Sequence, residues 1–289
     1  MNANSSFKEL LVQARAEQYA IGAFNIFDYL SAKAAIDAAN TLKTPIILQT
    51  STATVVKFGP AHLLEMINLL RKGTMVPVIV HLDHCTDPAL AKTCIDEGWD
   101  SVMLDMSEKP LDENIANTAE IKKYADKNGC CVEGELGIIS GVEEEISSQE
   151  GKLADYNDSI KFLEETNIDA FAPAIGTAHG LYKKEVNLNF DLIKNLASAT
   201  SVPLVIHGGT GLQDSQFKLL IKCGASKINV STALKYAYID GLRNYWDTHK
   251  NEYNPIKLNN AAEVSIKKTV EDHILRFKLQ KEDGKADNG

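Results

Sequence analysis

Eight times along this chain a short apolar, β-rich run is followed by a stretch with apolar residues at helical spacing, and that alternation limits the fold more than any other feature. The strand signals fall at residues 20–25, 45–50, 76–80, 101–105, 130–137, 170–175, 203–207 and 227–232. Helical signals lie between them at residues 31–42, 62–72, 88–98, 114–128, 158–166, 191–198 and 214–223. Several carry their own punctuation: Asp87-Pro88 reads as an N-cap with proline in the first turn, and Gly129 as a C-terminal stop. A length of 289 residues suits either two ordinary domains or one barrel. No linker, composition break or repeat interrupts the series, which predicts an α/β chain with a single (β/α)8 TIM barrel domain over residues 1–280. Extra helices are expected at both ends: residues 7–18 closing the barrel bottom, and a C-terminal pair broken at Asn254-Pro255, before a frayed tail over 281–289.

Composition removes several function classes. A net charge of −9 argues against wholesale nucleic-acid binding, which relies on clustered Lys and Arg. The five cysteines are odd in number and include no C-x-x-C pair, so neither a disulfide framework nor a cysteine-rich zinc knuckle is expected. The N-terminus lacks the apolar core of a signal peptide, and no apolar run approaches the ~18 residues of a membrane span, so the expectation is a cytoplasmic chain without a membrane partner.

The chemistry sits at the strand ends. Residues 78–84 are an apolar run that finishes in His81-Leu82-Asp83-His84, and two further strands finish close to His179 and His207. In a parallel barrel the C-terminal strand ends face the active-site mouth. Three imidazoles there, His84, His179 and His207, suggest a three-nitrogen zinc site with an open fourth position. Asp83 beside such a metal is placed to move a proton on a hydroxyl next to a polarised carbonyl. Strict strand alternation sends Asp83 and His84 to opposite faces, so the strand has to turn at its end. Glu133 and Glu135 share one side of the fifth strand, where charge needs compensation. The glycines from Gly208 to Gly211 and the polar end from Asn229 to Thr232 follow strands seven and eight, the usual place of a barrel's phosphate site. The hydroxyl-rich Ser51-Thr52-Ala53-Thr54 after the second strand reads as a loop, and residues 138–154 form a long acidic connection, a candidate lid loop.

Together, Gly22-Ala23-Phe24-Asn25, His81-Leu82-Asp83-His84, Glu133-Gly134-Glu135-Leu136-Gly137, residues 174–180, His207-Gly208-Gly209-Thr210-Gly211 and Lys227-Ile228-Asn229-Val230 resemble the class II, metal-dependent ketose-bisphosphate aldolases, the family of fructose- and tagatose-bisphosphate aldolases. The resemblance implies one catalytic Zn2+ on His84, His179 and His207, proton transfer by Asp83, and Asp105 and Glu135 at a second or alternative metal position, with a monovalent cation also conceivable. It implies that Gly180, Gly208, Gly209, Thr210, Asn229, Val230, Ser231 and Thr232 bind the dihydroxyacetone-phosphate half, that Ser51 contacts the aldehyde half, and that Glu143 exchanges a proton with the carbanion carbon. The implied activity is reversible cleavage of a ketose 1-phosphate or 1,6-bisphosphate to dihydroxyacetone phosphate and an aldehyde, by a homodimer or homotetramer. In the family an Asp-Pro-Arg reaches into the neighbouring subunit to grip the distal phosphate. Here the residues are Asn254-Pro255-Ile256, so an aldolase for a ketose phosphate with a non-phosphate distal group is the competing expectation. A zinc-dependent hydrolase and an inactive sugar-phosphate-binding subunit are the readings outside that class.

Overall fold

The computed structural model describes residues 6–143, 146–148, 151–180 and 186–278, with the backbone alone for residues 142, 143 and 146–148. The expected tail over 281–289 therefore lies outside the described residues, as does the side chain of Glu143. The first half of the chain runs α1 (Phe7–Ala16), β1 (Ile21–Asn25), α2 (Tyr29–Leu42), β2 (Ile46–Ser51), α3 (Thr52–Phe58), α4 (Pro60–Arg71), β3 (Val78–Cys85), α5 (Pro88–Glu97), β4 (Ser101–Leu104) and α6 (Leu111–Asn128). It continues through β5 (Cys131–Leu136), a hairpin of β6 (Ser140–Glu143) and β7 (Ile146–Ser148), α7 (Tyr156–Thr166), β8 (Ala170–Pro173) and the short β9 (Ala178–His179). The last part is α8 (Phe190–Ala199), β10 (Leu204–Ile206), α9 (Asp214–Lys222), β11 (Ala225–Val230), α10 (Thr232–Thr248) and α11 (Pro255–Phe277). Strands β1, β2, β3, β4, β5, β8, β10 and β11 pair in that order, all parallel, and β11 closes on β1. This is the eight-stranded barrel that the alternation predicts.

Alternation along each strand sorts its side chains into two cores. Phe24, Leu48, Val80, Leu82, Val102, Val132, Phe171, Ile206, Ile228 and Val230 face outward and pack under the helical shell. Ile21, Ala23, Ile47, Ile79, Ala170, Ala172 and Val205 face inward and cluster with Phe7, Leu10, Leu11 and Ala14 of α1. The N-terminal helix is thus a plug under the barrel. Its start is fixed by a reciprocal cap, in which Ser6 Oγ accepts from Glu9 N and Ser6 N donates to the Glu9 carboxylate.

Three local expectations change. The hydroxyl-rich stretch at Ser51–Thr54 is not a loop: Ser51 is the N-cap of α3, its Oγ accepting from Thr54 N at 3.3 Å, which satisfies an otherwise orphan helix donor. The connection over 138–154 is not structureless, because β6 pairs antiparallel with β7 and parallel with β9, which gives its backbone groups partners. The third strand runs on to Cys85 instead of ending at Val80, and the eighth stops at Val230, with Thr232 opening α10. No helix among the described residues is long and apolar enough to cross a membrane.

If α1 is a packed plug, Phe7→Ala should cost about 3–5 kcal/mol, read as a lower urea midpoint. An unchanged midpoint would show that the helix rests on the barrel without closing it.

Candidate active site

Inward-facing positions become polar towards the C-terminal strand ends. Asn25 follows Ala23, Gln49 follows Ile47, and His81 and Asp83 follow Ile79, each two residues on and therefore on the same face. His84 ought by the same rule to point outward. The strand avoids this with a bulge: Leu82 pairs with Val102 and Cys85 with Leu104, so β3 spends three steps where β4 spends two. His84 takes the left-handed conformation, φ +48°, which is uncommon for a residue other than glycine. The bulge is pinned on both sides, by Thr52 Oγ1 donating to the His84 carbonyl at 3.3 Å and by Asp105 N donating to the Cys85 carbonyl at 2.8 Å. The turn that the sequence demands is present, and Asp83 and His84 both reach the mouth.

The three imidazoles meet there. His84, His179 and His207 offer ring nitrogens within 4.8 Å of one another, all buried. His84 Nε2 is 2.7 Å from His207 Nδ1, and the His84 ring lies edge-on to both others, with centroids 5.0 Å from His179 and 4.5 Å from His207. His84, Asp105 and Glu135 form a second convergent group of three. His84 Nδ1 donates to Asp105 Oδ2 at 2.7 Å, leaving Nε2 turned towards His207. His179 reaches the cluster on β9, which is gripped closely. Gly141 (φ +108°) lies against the His179 backbone and Gly208 (φ +70°) against the Ala178 carbonyl, where a Cβ on either would collide.

Asp83 sits among amides. Its Oδ2 accepts from Asn25 Nδ2 at 2.8 Å and Gln49 Nε2 at 3.0 Å, its Oδ1 from Asn229 Nδ2 at 3.3 Å, and Gln49 Nε2 also donates to Asn25 Oδ1 at 2.7 Å. Ser51 pairs in register with Asp83, so its hydroxyl stands on the neighbouring strand end. One layer deeper, Glu133 is compensated as its position requires: Oε2 accepts from Lys227 Nζ at 2.8 Å and Oε1 from His207 Nε2 at 2.9 Å.

Burial disfavours charge throughout, so partners decide where charge stays. Burial opposes the His84 imidazolium, yet Asp83, Asp105 and Glu135 around it outweigh that and raise its pKa well above the usual value. Asp105 is pushed up by burial but held well below the carboxylate range by His84 and Ser107. Glu133 is held low against burial by Lys227 and His207. Glu135 goes the other way, raised by burial and by Asp105. His207 is lowered by burial and by the positive His84. The centre of the mouth is thus an imidazole enclosed by the acidic side chains of Asp83, Asp105 and Glu135.

Among the described residues, seven buried side-chain atoms lack a hydrogen-bond partner, and four of them, Gln49 Oε1, Glu135 Oε2, Asn229 Oδ1 and Ser231 Oγ, come from strand ends at this mouth. Buried polar atoms are normally satisfied, so such a concentration marks a place built for a ligand. The glycine run is less available than its composition suggests. Gly209 N donates to the Asn229 carbonyl at 2.9 Å, and Thr210 Oγ1 accepts from Ala233 N at 3.2 Å. Gly180 takes φ +89° next to His179, Thr232 begins α10, and the Val230 side chain packs outward in the shell core, so only its backbone faces the mouth. Asn25, His81 and Lys227 lie in motifs of the sequence that assign them no role, and Gln49 lies outside those motifs. Their signal was inward parity near a strand end, which needs the strand register before it can be read.

The fold recurs in known proteins. The chain matches the family model "Fructose-bisphosphate aldolase class-II" over residues 5–282. It is 36% identical over 275 residues to the 6-phospho-5-dehydro-2-deoxy-D-gluconate aldolase of Bacillus subtilis, covering 94% of each chain. It is also 36% identical over 278 residues to the fructose-bisphosphate aldolase of Geobacillus stearothermophilus, covering 94% of this chain and 96% of that one. The crystal structure of the YdjI aldolase from Escherichia coli superposes with a TM-score of 0.83 at 28% identity, over 96% of this chain and 97% of that one. With the match spanning nearly the whole barrel, the chain belongs to the class-II fructose-bisphosphate aldolase family.

Proposed function

We propose that the protein is a metal-dependent aldolase that reversibly cleaves a ketose 1-phosphate into dihydroxyacetone phosphate and an aldehyde. The observation that carries this reading is the convergence of His84, His179 and His207 beside an amide-held Asp83. The donor set fits a divalent cation, and zinc in particular: three buried imidazole nitrogens beside a Glu135 Oε2 that has no hydrogen-bond partner. Asp105 and Glu135 are the residues for a second or alternative metal position. When bound, the cation supplies a Lewis acid that polarises the ketose C2 carbonyl.

The chain's own residues do the rest. Asp83 takes the proton from the C4 hydroxyl, the C3–C4 bond breaks as C4 becomes the aldehyde carbonyl, and the electron pair passes to C3, next to the C2 carbonyl. Asn25, Gln49 and Asn229 hold the Asp83 carboxylate in place for this by hydrogen bonds to its oxygens. Protonation of C3 completes cleavage, a role proposed for Glu143. Gly180, Gly208, Gly209, Thr210 and residues 229–232 are assigned to the phosphate-bearing half and Ser51 to the aldehyde half. Exposed Tyr236, Ile239 and Trp246 on α10 and Val264 on α11 support association of copies into a dimer or tetramer. The protein is proposed to work in the cytoplasm.

The distal end of the substrate follows from α11. Ile256 is 67% exposed at the start of that helix. Its neighbour Lys257 is already engaged, with Nζ 2.5 Å from Glu252 Oε2. A distal phosphate thus lacks a planar guanidinium, and hydrogen bonds to charged groups are worth roughly 1.5–3 kcal/mol each. The Bacillus subtilis relative is named for a monophosphate of a gluconate, whose other end is a carboxylate. We therefore assign this chain a ketose phosphate whose far end is neutral or carboxylate.

Three measurements test the reading. Chelation should abolish turnover and zinc or cobalt restore it, while Asp83→Ala should keep the metal and lose about 10²- to 10⁴-fold in kcat. Full activity of metal-depleted protein, or an unchanged kcat in Asp83→Ala, would contradict it. Across a panel of ketose phosphates, kcat/KM should be higher for a substrate with a non-phosphate far end than for fructose or tagatose 1,6-bisphosphate. If a bisphosphate wins and Lys257→Ala removes its advantage, the lysine has replaced the arginine and the substrate assignment fails.

A further inference from the structure

The middle of the barrel carries a charged layer where branched aliphatic side chains usually fill such interiors. His81 on β3, Glu133 on β5 and Lys227 on β11 are all 0% exposed. Lys227 Nζ is 2.8 Å from Glu133 Oε2 and 3.5 Å from His81 Nε2. His81 also lies 3.6 Å from Glu133 Oε2, its Nδ1 is 2.7 Å from Ser101 Oγ, and its ring stacks on Phe7 of the α1 plug. A buried ion pair is a poor source of stability, since apolar residues of similar volume often serve as well or better. What the layer does touch is the mouth: the other oxygen of Glu133 accepts from His207 Nε2 at 2.9 Å.

We infer that Glu133 and Lys227 are positioning residues for His207. Lys227 anchors the Glu133 carboxylate from β11, Glu133 holds the His207 Nε2 proton, and the imidazole is thereby fixed in the tautomer and rotation that turn Nδ1 towards His84 Nε2. A ligand whose far nitrogen is held by a carboxylate is both oriented and made a stronger donor, and loss of that partner typically costs about 10- to 100-fold in metal affinity. This inference rests on the reading of His84, His179 and His207 as a metal site. It adds that the affinity of the site is set partly by two residues that never touch the metal.

The test is a Co2+ titration of metal-depleted full-length protein, by chelator competition and visible absorption. It compares the parent with Glu133→Gln, Lys227→Met, the double variant and His207→Ala. A single substitution strands a buried charge, so folding of each is checked by circular dichroism; the double variant, which leaves no unpaired charge between these positions, covers the case in which a single one fails to fold. The expected result is a folded variant whose Co2+ affinity is about 10- to 100-fold weaker, with an altered cobalt absorption band. A folded double variant that binds Co2+ within about twofold of the parent, with the same band, would overturn the proposal and leave the pair a purely structural one. Failure of all three variants to fold would assign the pair to folding and overturn it too. A parent that binds no Co2+, or binds it equally well in His207→Ala, would instead bring down the metal-site reading on which the inference stands.

Discussion

A barrel wall has one inward parity, and this site needs two consecutive residues of one strand to face inward. The bulge over Leu82–Cys85, with His84 in the left-handed region, meets that constraint. Without it either Asp83 or His84 would point into the helical shell, and the carboxylate would be separated from the imidazole cluster. The backbone conformation is unfavourable for histidine, so surrounding contacts have to hold it; Thr52 from α3 and the Asp105 backbone from the end of β4 do so.

Around this point the barrel is organised in layers along its axis. The apolar plug of α1 and the aliphatic ring lie at the bottom, the compensated Glu133, Lys227 and His81 in the middle, and the amide-bound Asp83 and the three imidazoles at the top. Each layer is a product of strand alternation and shared register, since residues two apart on β1, β2, β3, β5 and β11 step from one layer to the next. Near the top, burial opposes charge on His84, and the surrounding Asp83, Asp105 and Glu135 raise its pKa in spite of it.

Much of this could be read from the residues in order. The eight alternations gave the barrel because strand and helix periods differ plainly, and the histidines stood out because each interrupts an apolar run at its C-terminal end. The need for a turn between Asp83 and His84 was also legible, as a conflict with alternation. Other features depended on long-range pairing. Glu133 visibly required compensation, but Lys227 lies 94 positions away and only the register across β11 brings them together. Asn25 and Gln49 are unremarkable polar residues until parity aims them at Asp83. The short α3 was hidden because Ser51 and Thr54 read as a loop when they are a helix cap and its partner. The Gly208–Gly209 pair suggested an anion cradle, yet close packing against β9 and β11 is reason enough for glycine there.

The central claim is that three strand-end histidines hold one divalent metal beside Asp83. Anomalous diffraction at the metal's absorption edge, on crystals of protein purified with its native metal, tests it most directly. The account predicts a single strong peak bounded by His84, His179 and His207. A peak elsewhere in the protein, with none at this cluster in crystals grown from active enzyme, would contradict it.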